Sequence, residues 1–401
     1  MTQITSWYHM SKVITPLLAA LMMSAASWAR TTVDVAGATD DENSQLLLAG
    51  DALESDNLEV QINGLTRVLE RHAMNRAARF LRAGLFIGVG NTPAAAADLE
   101  ALEEVAPRFP LLDEAWASLA AATGSRDDEL AAWEAIAQEQ ARAVAVEGAP
   151  QDSLRHNPQE VEARIAELRG ESDRAEELLR ALVGEGRKQR WPRLSMLGRF
   201  YVRQGRYGAA SDAFETALAR VPDAEGYGGV HVQLRTSLAL AQWAAGRRED
   251  ALRTGLAAGR RVLLDPSPRN SPGSYWLPGL ALICSSLTAG GVGSAEDRRD
   301  AELILKEATA IANAVGRFSL GPTCRVAQGR VTVGDALRTV DGVLGRAPKL
   351  DWALTAALHL YLSDPVGHPT LLERLPEGGI HRQIAVIETE AREDEPATAV
   401  P

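Results

Sequence analysis

Apolar residues recur along most of this chain at spacings of three and four residues, the period of an amphipathic helix. In segment 58–69, for example, the side chains of Leu58, Ile62, Leu65 and Val68 fall on one helical face. Beyond residue 265 the same period predicts helices near 275–288, 301–314, 333–343, 352–362 and 369–375. The pattern therefore predicts an all-α protein.

Residues 191–223 carry the clearest internal pattern. Small residues at Gly198 and Ala210 would let two helices approach closely, and Tyr201 and Phe214 would fill the space between them. Gly205 would end the first helix in a left-handed conformation that other residues rarely adopt. The segment thus predicts two helices joined by a tight turn.

The turn glycine of this unit recurs along the chain. The glycines in this position are separated by 34, 46, 35 and 41 residues: Gly90, Gly124, Gly170, Gly205 and Gly246. Seven residues before each glycine the side chain is small in all five units; five residues after, it is small in four; nine residues after, it is large and apolar in four. The two exceptions are Glu129 and Gly255. Agreement at positions that were not used for the alignment predicts genuine internal repeats.

The chain resembles the tetratricopeptide repeat (TPR) family at Leu197, Gly198, Tyr201, Gly205, Tyr207, Ala210, Phe214, Ala217 and Pro222. The resemblance implies a right-handed α-solenoid of helix-turn-helix repeats. We place repeats near 76–109, 110–143, 156–189, 191–224 and 232–265, within a solenoid that covers 43–265. The longer glycine spacings are attributed to insertions at 144–155 and 223–230, which are predicted to be loops.

The two ends of the chain differ from the array. Residues 1–29 are predicted to be a signal peptide, because Lys12 precedes an apolar run at 13–26 and a small-residue cleavage site. We expect a flexible linker at 30–42, and divergent helical repeats or a helical cap at 266–385. The acidic, Pro-containing residues 386–401 are predicted to form a disordered tail.

Charge narrows the class of partner. The net charge of −11 argues against a general nucleic-acid binder, yet residues 187–206 hold seven basic and no acidic side chains. In TPR proteins the first helix of each repeat lines the ligand groove, and the resemblance assigns groove positions to Arg164, Arg199, Arg203 and Trp243. Guanidinium groups there would suit a protein or peptide with acidic groups. The alternative is that these arginines form a solvated face or pair with carboxylates of adjacent helices.

Catalytic signatures are missing from the sequence, which contains no HExxH, GxSxG, GxxxxGK[ST] or CxxC motif. We therefore predict a protein that is not an enzyme and that uses no cofactor or metal. The two cysteines, Cys284 and Cys324, would form a disulfide in an oxidising compartment or remain two buried thiols on neighbouring helices.

These observations predict an exported, periplasmic scaffold that is soluble after signal-peptide cleavage, has no stable membrane insertion and binds another protein or peptide. Its task would be envelope assembly, polysaccharide export or complex maturation. A second interpretation is a carbohydrate-active enzyme on an all-helical α/α scaffold, which would use carboxylates together with Trp116, Trp133, Trp243 and Trp276. A third is a self-assembling structural protein.

Overall fold

The computed structural model describes residues 58–107, 109, 111–147, 156–185, 190–223, 227–264, 276–289, 294–315 and 332–394 of the 401-residue chain. Within these ranges it contains 17 helices and no strand, which confirms the all-α fold class. The predicted signal peptide and the linker lie outside the described residues.

Most of the helices form consecutive pairs in which neighbours along the chain pack together. A first helix, α1 (Leu58–Arg71), is followed by five pairs, which we call repeats 1 to 5: α2 (Arg76–Gly88) and α3 (Thr92–Val105); α4 (Leu112–Thr123) and α5 (Arg126–Glu147); α6 (Pro158–Arg169) and α7 (Ser172–Glu185); α8 (Arg190–Arg203) and α9 (Tyr207–Leu218); α10 (Gly228–Ala244) and α11 (Arg248–Leu264). The remaining helices are α12 (Trp276–Ala289), α13 (Ala295–Val315), α14 (Val333–Leu344), α15 (Asp351–Ser363), α16 (Thr370–Arg374) and α17 (Ile380–Asp394).

A left-handed glycine joins the two helices of each repeat. The backbone φ angles are 73° at Gly90, 78° at Gly124, 85° at Gly170, 69° at Gly205 and 78° at Gly246. Residues with a side chain rarely adopt such angles, so glycine lets the chain reverse within a few residues. The left-handed cap predicted at Gly205 is confirmed.

Close helix packing inside repeat 4 depends on a small residue facing a large one. A Cβ atom added to Gly198 would lie 2.7 Å from the Phe214 ring, which is closer than such atoms approach. Phe214, Tyr201 and Ala210 are all buried. The packing roles predicted for these four residues are therefore those that the structure shows, and the fold is a TPR-like helical array.

The exception at Gly255 has a structural reason. A Cβ atom at Gly255 would lie 2.5 Å from Ile283 of α12, and one at Gly259 would collide with Ile304 of α13. Both isoleucines are buried. In repeat 5 the small residues therefore lie on the second helix and accept large residues from the next helix pair, so α12 and α13 continue the array.

The C-terminal helices return to the first two repeats. The indole Nε1 of Trp352 donates a hydrogen bond to the Gly88 carbonyl at 3.0 Å. The guanidinium Nε of Arg346 donates to the Gly90 carbonyl at 3.2 Å, and the amide of Lys349 donates to the carbonyl of Ala122 at 3.1 Å. Residues 346–352 therefore contact the ends of α2 and α4.

Three predictions of irregular structure were wrong. The loop predicted at 223–230 is helical from Gly228 onwards, because α10 begins there. Helix α17 continues to Asp394, so residues 386–394 are not a disordered tail. This helix is ordered by packing, since Ile384 and Ala385 on its inner face are completely buried. Helix α5 continues to Glu147, so residues 144–147 extend a helix where a loop was expected, in an Ala- and Val-containing segment that precedes Gly148. In the part of the chain that the structure describes, no helix is both long enough and apolar enough to cross a membrane.

Candidate functional site

Two of the predicted groove arginines belong to one row of charges across repeats 2, 3 and 4. Arg203 of α8 binds Glu167 of α6 with both ends of its guanidinium group, at 2.6 and 2.8 Å. Arg164 of α6 donates at 2.7 Å to Oε2 of Glu167, an oxygen that also accepts from Arg203, and at 3.0 Å to Glu129 of α5. We call Glu129, Arg164, Glu167 and Arg203 the charged row. It links three consecutive repeats through charge-assisted hydrogen bonds.

Electrostatics keep Glu167 and Arg164, the two central residues of the charged row, ionised. Burial alone would raise the pKa of Glu167, but the hydrogen bonds and charges of Arg203 and Arg164 outweigh it and hold this pKa below its usual range. Burial alone would lower the pKa of Arg164, but Glu167 and Glu129 outweigh it and raise this pKa. The carboxylates and guanidiniums thus stabilise one another's charged forms.

The accessible cations lie at the α8 end of this row. Arg199 is exposed and stands one helical turn before Arg203, on the same face of α8. The Arg203 side chain is 43% exposed although it is bound to Glu167, whereas that of Arg164 is 21% exposed. Arg199 and Arg203 therefore present guanidinium groups to solvent, while Arg164 mainly supports the row.

Trp243 does not belong to this surface, and the prediction that it forms a groove wall was wrong. Its side chain is fully buried. Its Nε1 donates to Oε1 of Glu388 at 2.7 Å, and Nε of Arg248 lies 2.9 Å from the same oxygen. The reason is that α17, whose residues 386–394 were expected to be disordered, covers α10 at this position.

The proposed disulfide stays a prediction. Cys284 is completely buried in α12, and Cys324 lies outside the described residues.

A cleft of about 780 Å³ lies between α5 and α6. Its apolar lining includes Val144, Val161 and Ile165. Each of its two carboxylates is engaged by an arginine: Glu134 by Arg169 at 2.8 Å, and Glu162 by Arg174 at 2.5 Å. The cleft thus holds two neutralised ion pairs rather than two carboxylates poised for acid and base chemistry. Among the described residues, no group of three histidine, cysteine or acidic side chains is arranged to hold a metal ion.

The alternative that the arginines pair with carboxylates of adjacent helices describes Arg164 and Arg203, which bind Glu129 and Glu167. Sequence reasoning did not identify these two partners, although the sequence contains a signal for them. Glu129 and Arg164 are 35 residues apart, and Glu167 and Arg203 are 36 apart. Glu134 and Arg169 are likewise separated by 35 residues. Glu167 and Arg203 lie on equivalent first helices, α6 and α8, whereas the other two pairs join α5 to α6. Searching for opposite charges 35 or 36 residues apart would have found all three pairs.

Comparisons with known proteins add little beyond this geometry. No family model matches the chain, and no curated protein matches it in sequence. Among solved structures, the chain is similar to the crystal structure of the P58(IPK) TPR domain at 2.5 Å, with 14% sequence identity, a TM-score of 0.24, and coverage of 88% of this chain and 98% of that one. The turn glycines and the packing of successive helix pairs in this chain itself are what define it as an all-helical, TPR-like repeat array.

Proposed function

We propose that this protein is an exported scaffold that binds an acidic segment of another protein along α8, at Arg199 and Arg203. The observation that carries the proposal is the exposure of these two guanidinium groups one turn apart on a single helix face. The resemblance to TPR proteins assigns this face to the ligand groove. Helical arrays of this kind use such surfaces to bind peptides and protein segments.

Charge complementarity favours an acidic segment. Arg199 and Arg203 both expose guanidinium groups at this surface, and a guanidinium binds a carboxylate through charge-assisted hydrogen bonds. These groups would attract a carboxylate of the partner. Because Glu167 holds Arg203 at two points, that guanidinium is already oriented, which reduces the entropy lost on binding.

The predicted signal peptide at 1–29 supports action outside the cytoplasm. In the cell envelope such a scaffold would serve envelope assembly, polysaccharide export or maturation of an exported complex.

The test compares binding of a fluorescein-labelled, Glu-rich peptide to the wild-type chain and to Arg199→Glu, by fluorescence anisotropy at low salt. Arg199 is preferred to Arg203, because a carboxylate at position 203 would be repelled by Glu167. We expect Arg199→Glu to weaken binding about tenfold, which corresponds to about 1.4 kcal/mol, with unchanged helicity and melting temperature.

The matched control is Arg220→Glu, which makes the same charge change at an exposed position after α9. It should bind as the wild type does, and added salt should weaken binding to both. The proposal would be wrong if the wild type and Arg199→Glu bound the peptide with equal affinity. It would also be wrong if Arg199→Glu and Arg220→Glu lost the same amount of affinity.

A further inference from the structure

A second group of positive charges lies at the junction of repeats 4 and 5. His231 and Arg235 are one turn apart on α10 and therefore share a helix face. Arg261 in the last turn of α11 and Asp223, in the segment that precedes α10, complete the group. We call these four residues the junction cluster. It shares no residue with the surface around Arg199.

His231 is held in a buried position with one ring nitrogen unused. The residue is 7% exposed, and its Nε2 lies 3.2 Å from the carbonyl oxygen of Pro222. That contact assigns the ring proton to Nε2. Over the described ranges, no hydrogen-bond partner reaches the buried Nδ1. Burial lowers the pKa of His231, and the charges of Arg235 and Arg261 act in the same direction, so the ring is neutral at pH 7.

Arg235 is a partly buried cation, and one nitrogen of its guanidinium group, Nη1, lacks an acceptor in the described part of the chain. Its Nη1 is shielded from solvent, and no described residue offers an acceptor within hydrogen-bonding distance. Leaving a charged donor without a partner is costly, so native proteins rarely do it. Burial lowers the pKa of Arg235 and the nearby charge of Arg261 lowers it further, while Asp223 opposes the shift.

The one carboxylate of the cluster is engaged only loosely. Oδ1 of Asp223 accepts from Arg261 at 3.2 and 3.3 Å, distances at the long end for a charge-assisted hydrogen bond. The side chain of Asp223 is 81% exposed. Asp223 thus lies near both Arg261 and Arg235, yet it leaves Nη1 of Arg235 without an acceptor.

We propose that the junction cluster is a binding site for an oxyanion, a carboxylate or a phosphate group, held between Arg235 and Arg261. The bound oxygens would accept from Nη1 of Arg235, which has no acceptor among the described residues, and from Arg261, while Asp223 turns outwards into solvent. Arginine forks fit the planar carboxylate and the tetrahedral phosphate, so both groups share this chemistry. A phosphate monoanion also carries an O–H that can donate to Nδ1 of His231, which a carboxylate cannot do.

The experiment measures the melting temperature of the full chain at pH 7 in sodium phosphate or sodium acetate, with ionic strength held constant by sodium chloride. A ligand that binds only the folded state raises the melting temperature with a saturating dependence on concentration. General salt effects move all variants alike. Arg235→Gln should lose the saturable rise, and Arg220→Gln, the exposed control, should keep it.

Asp223→Asn provides an independent readout if Arg235→Gln folds poorly. It removes the carboxylate that competes for Arg261, so half-saturation should occur at an oxyanion concentration up to about fivefold lower, which is the range expected for an exposed ion pair. A larger rise with phosphate assigns the site to phosphate groups, and a larger rise with acetate assigns it to carboxylates. No saturable rise in the wild type, or an equal rise in Arg235→Gln, would overturn the proposal.

Discussion

Repeats 3 and 5 place different chemistry at the same position, three residues before the turn glycine. In repeat 3 this residue is Glu167, which binds Arg164 and Arg203 at the edge of an accessible surface. In repeat 5 it is Trp243, which is completely buried beneath α17. The repeat register fixes the face of the helix on which a residue lies. It does not fix what covers that face, because a distant part of the chain decides that.

The burial of Trp243 beneath α17 in repeat 5 predicts the largest change in stability on substitution. Trp243→Ala would leave a cavity and remove a hydrogen bond to buried Glu388, so we expect the free energy of unfolding to fall by about 3–5 kcal/mol in urea denaturation. Trp243→Phe keeps most of the volume and loses the bond, so it should cost about 1.5–3 kcal/mol. A cost below about 1 kcal/mol for Trp243→Ala would mean that α17 does not cover this position.

The packing of Gly198 against Phe214 inside repeat 4 positions the accessible face of α8. It predicts the second-largest change in stability. Gly198→Ala introduces a Cβ atom 2.7 Å from Phe214, and the resulting overpacking should destabilise the protein by about 1–3 kcal/mol. Gly208→Ala is the matched control, because a Cβ atom there meets nothing within 4 Å. Thermal melting should show a clear loss for the first variant and none for the second. Equal behaviour of the two would contradict the close approach.

The charged row of repeats 2 to 4 predicts a pH-dependent effect. Glu167→Gln should cost about 2 kcal/mol at pH 7, because hydrogen bonds to two guanidinium groups lose their charge. The pKa of Glu167 is lowered in the folded state, so its stabilisation is present above the unfolded pKa of about 4.3 and is lost as the pH falls through the folded value. The stability difference from the wild type should therefore shrink below about pH 4. A difference that stays constant down to pH 3 would contradict the ion pairing.

Neutralising Asp113 in the first turn of α4 should stabilise the protein at pH 7, whereas neutralising Glu167 should destabilise it. The change in stability should be the smaller of the two. Burial, followed by the charges of Glu114, Glu139 and Glu103, raises the pKa of Asp113 to about 6. Ionisation then costs stability as the pH rises from the unfolded pKa of about 3.9 through the folded value. Asp113→Asn should raise stability by about 1 kcal/mol at pH 7, allowing for solvent screening of a half-buried group. The gain should disappear near pH 4, and a loss of stability at pH 7 would contradict this account.

The sequence could predict those features that each repeat encodes within itself. The left-handed turn at Gly205 and the contact of Gly198 with Phe214 depend on residues close along the chain, so their spacing is sufficient. The helical state of residues 386–394 could not be predicted in this way, because Ile384 and Ala385 are buried only once α17 meets α10. The environment of Trp243 was missed for the same reason.

The candidate site was predictable in part. The position of Arg199 and Arg203 on one helix face follows from their spacing of four residues. Predicting that Glu167 binds Arg203 needs a comparison of residues one repeat apart. Explaining why residue 255 is a glycine needs the position of the next helix pair, because that pair supplies Ile283. Interactions within one repeat are thus visible in the sequence, whereas interactions made by the returning C-terminal segment are not.

The return of the C-terminal segment to the first repeats is tested most directly by hydrogen exchange at the Lys349 amide. This amide donates to the carbonyl of Ala122, 227 residues earlier in the numbering, so only contact between the two segments protects it. We expect slow exchange that becomes fast when the C-terminal helices detach. Exchange of the Lys349 amide in the native protein at the rate of an unstructured peptide would contradict the account.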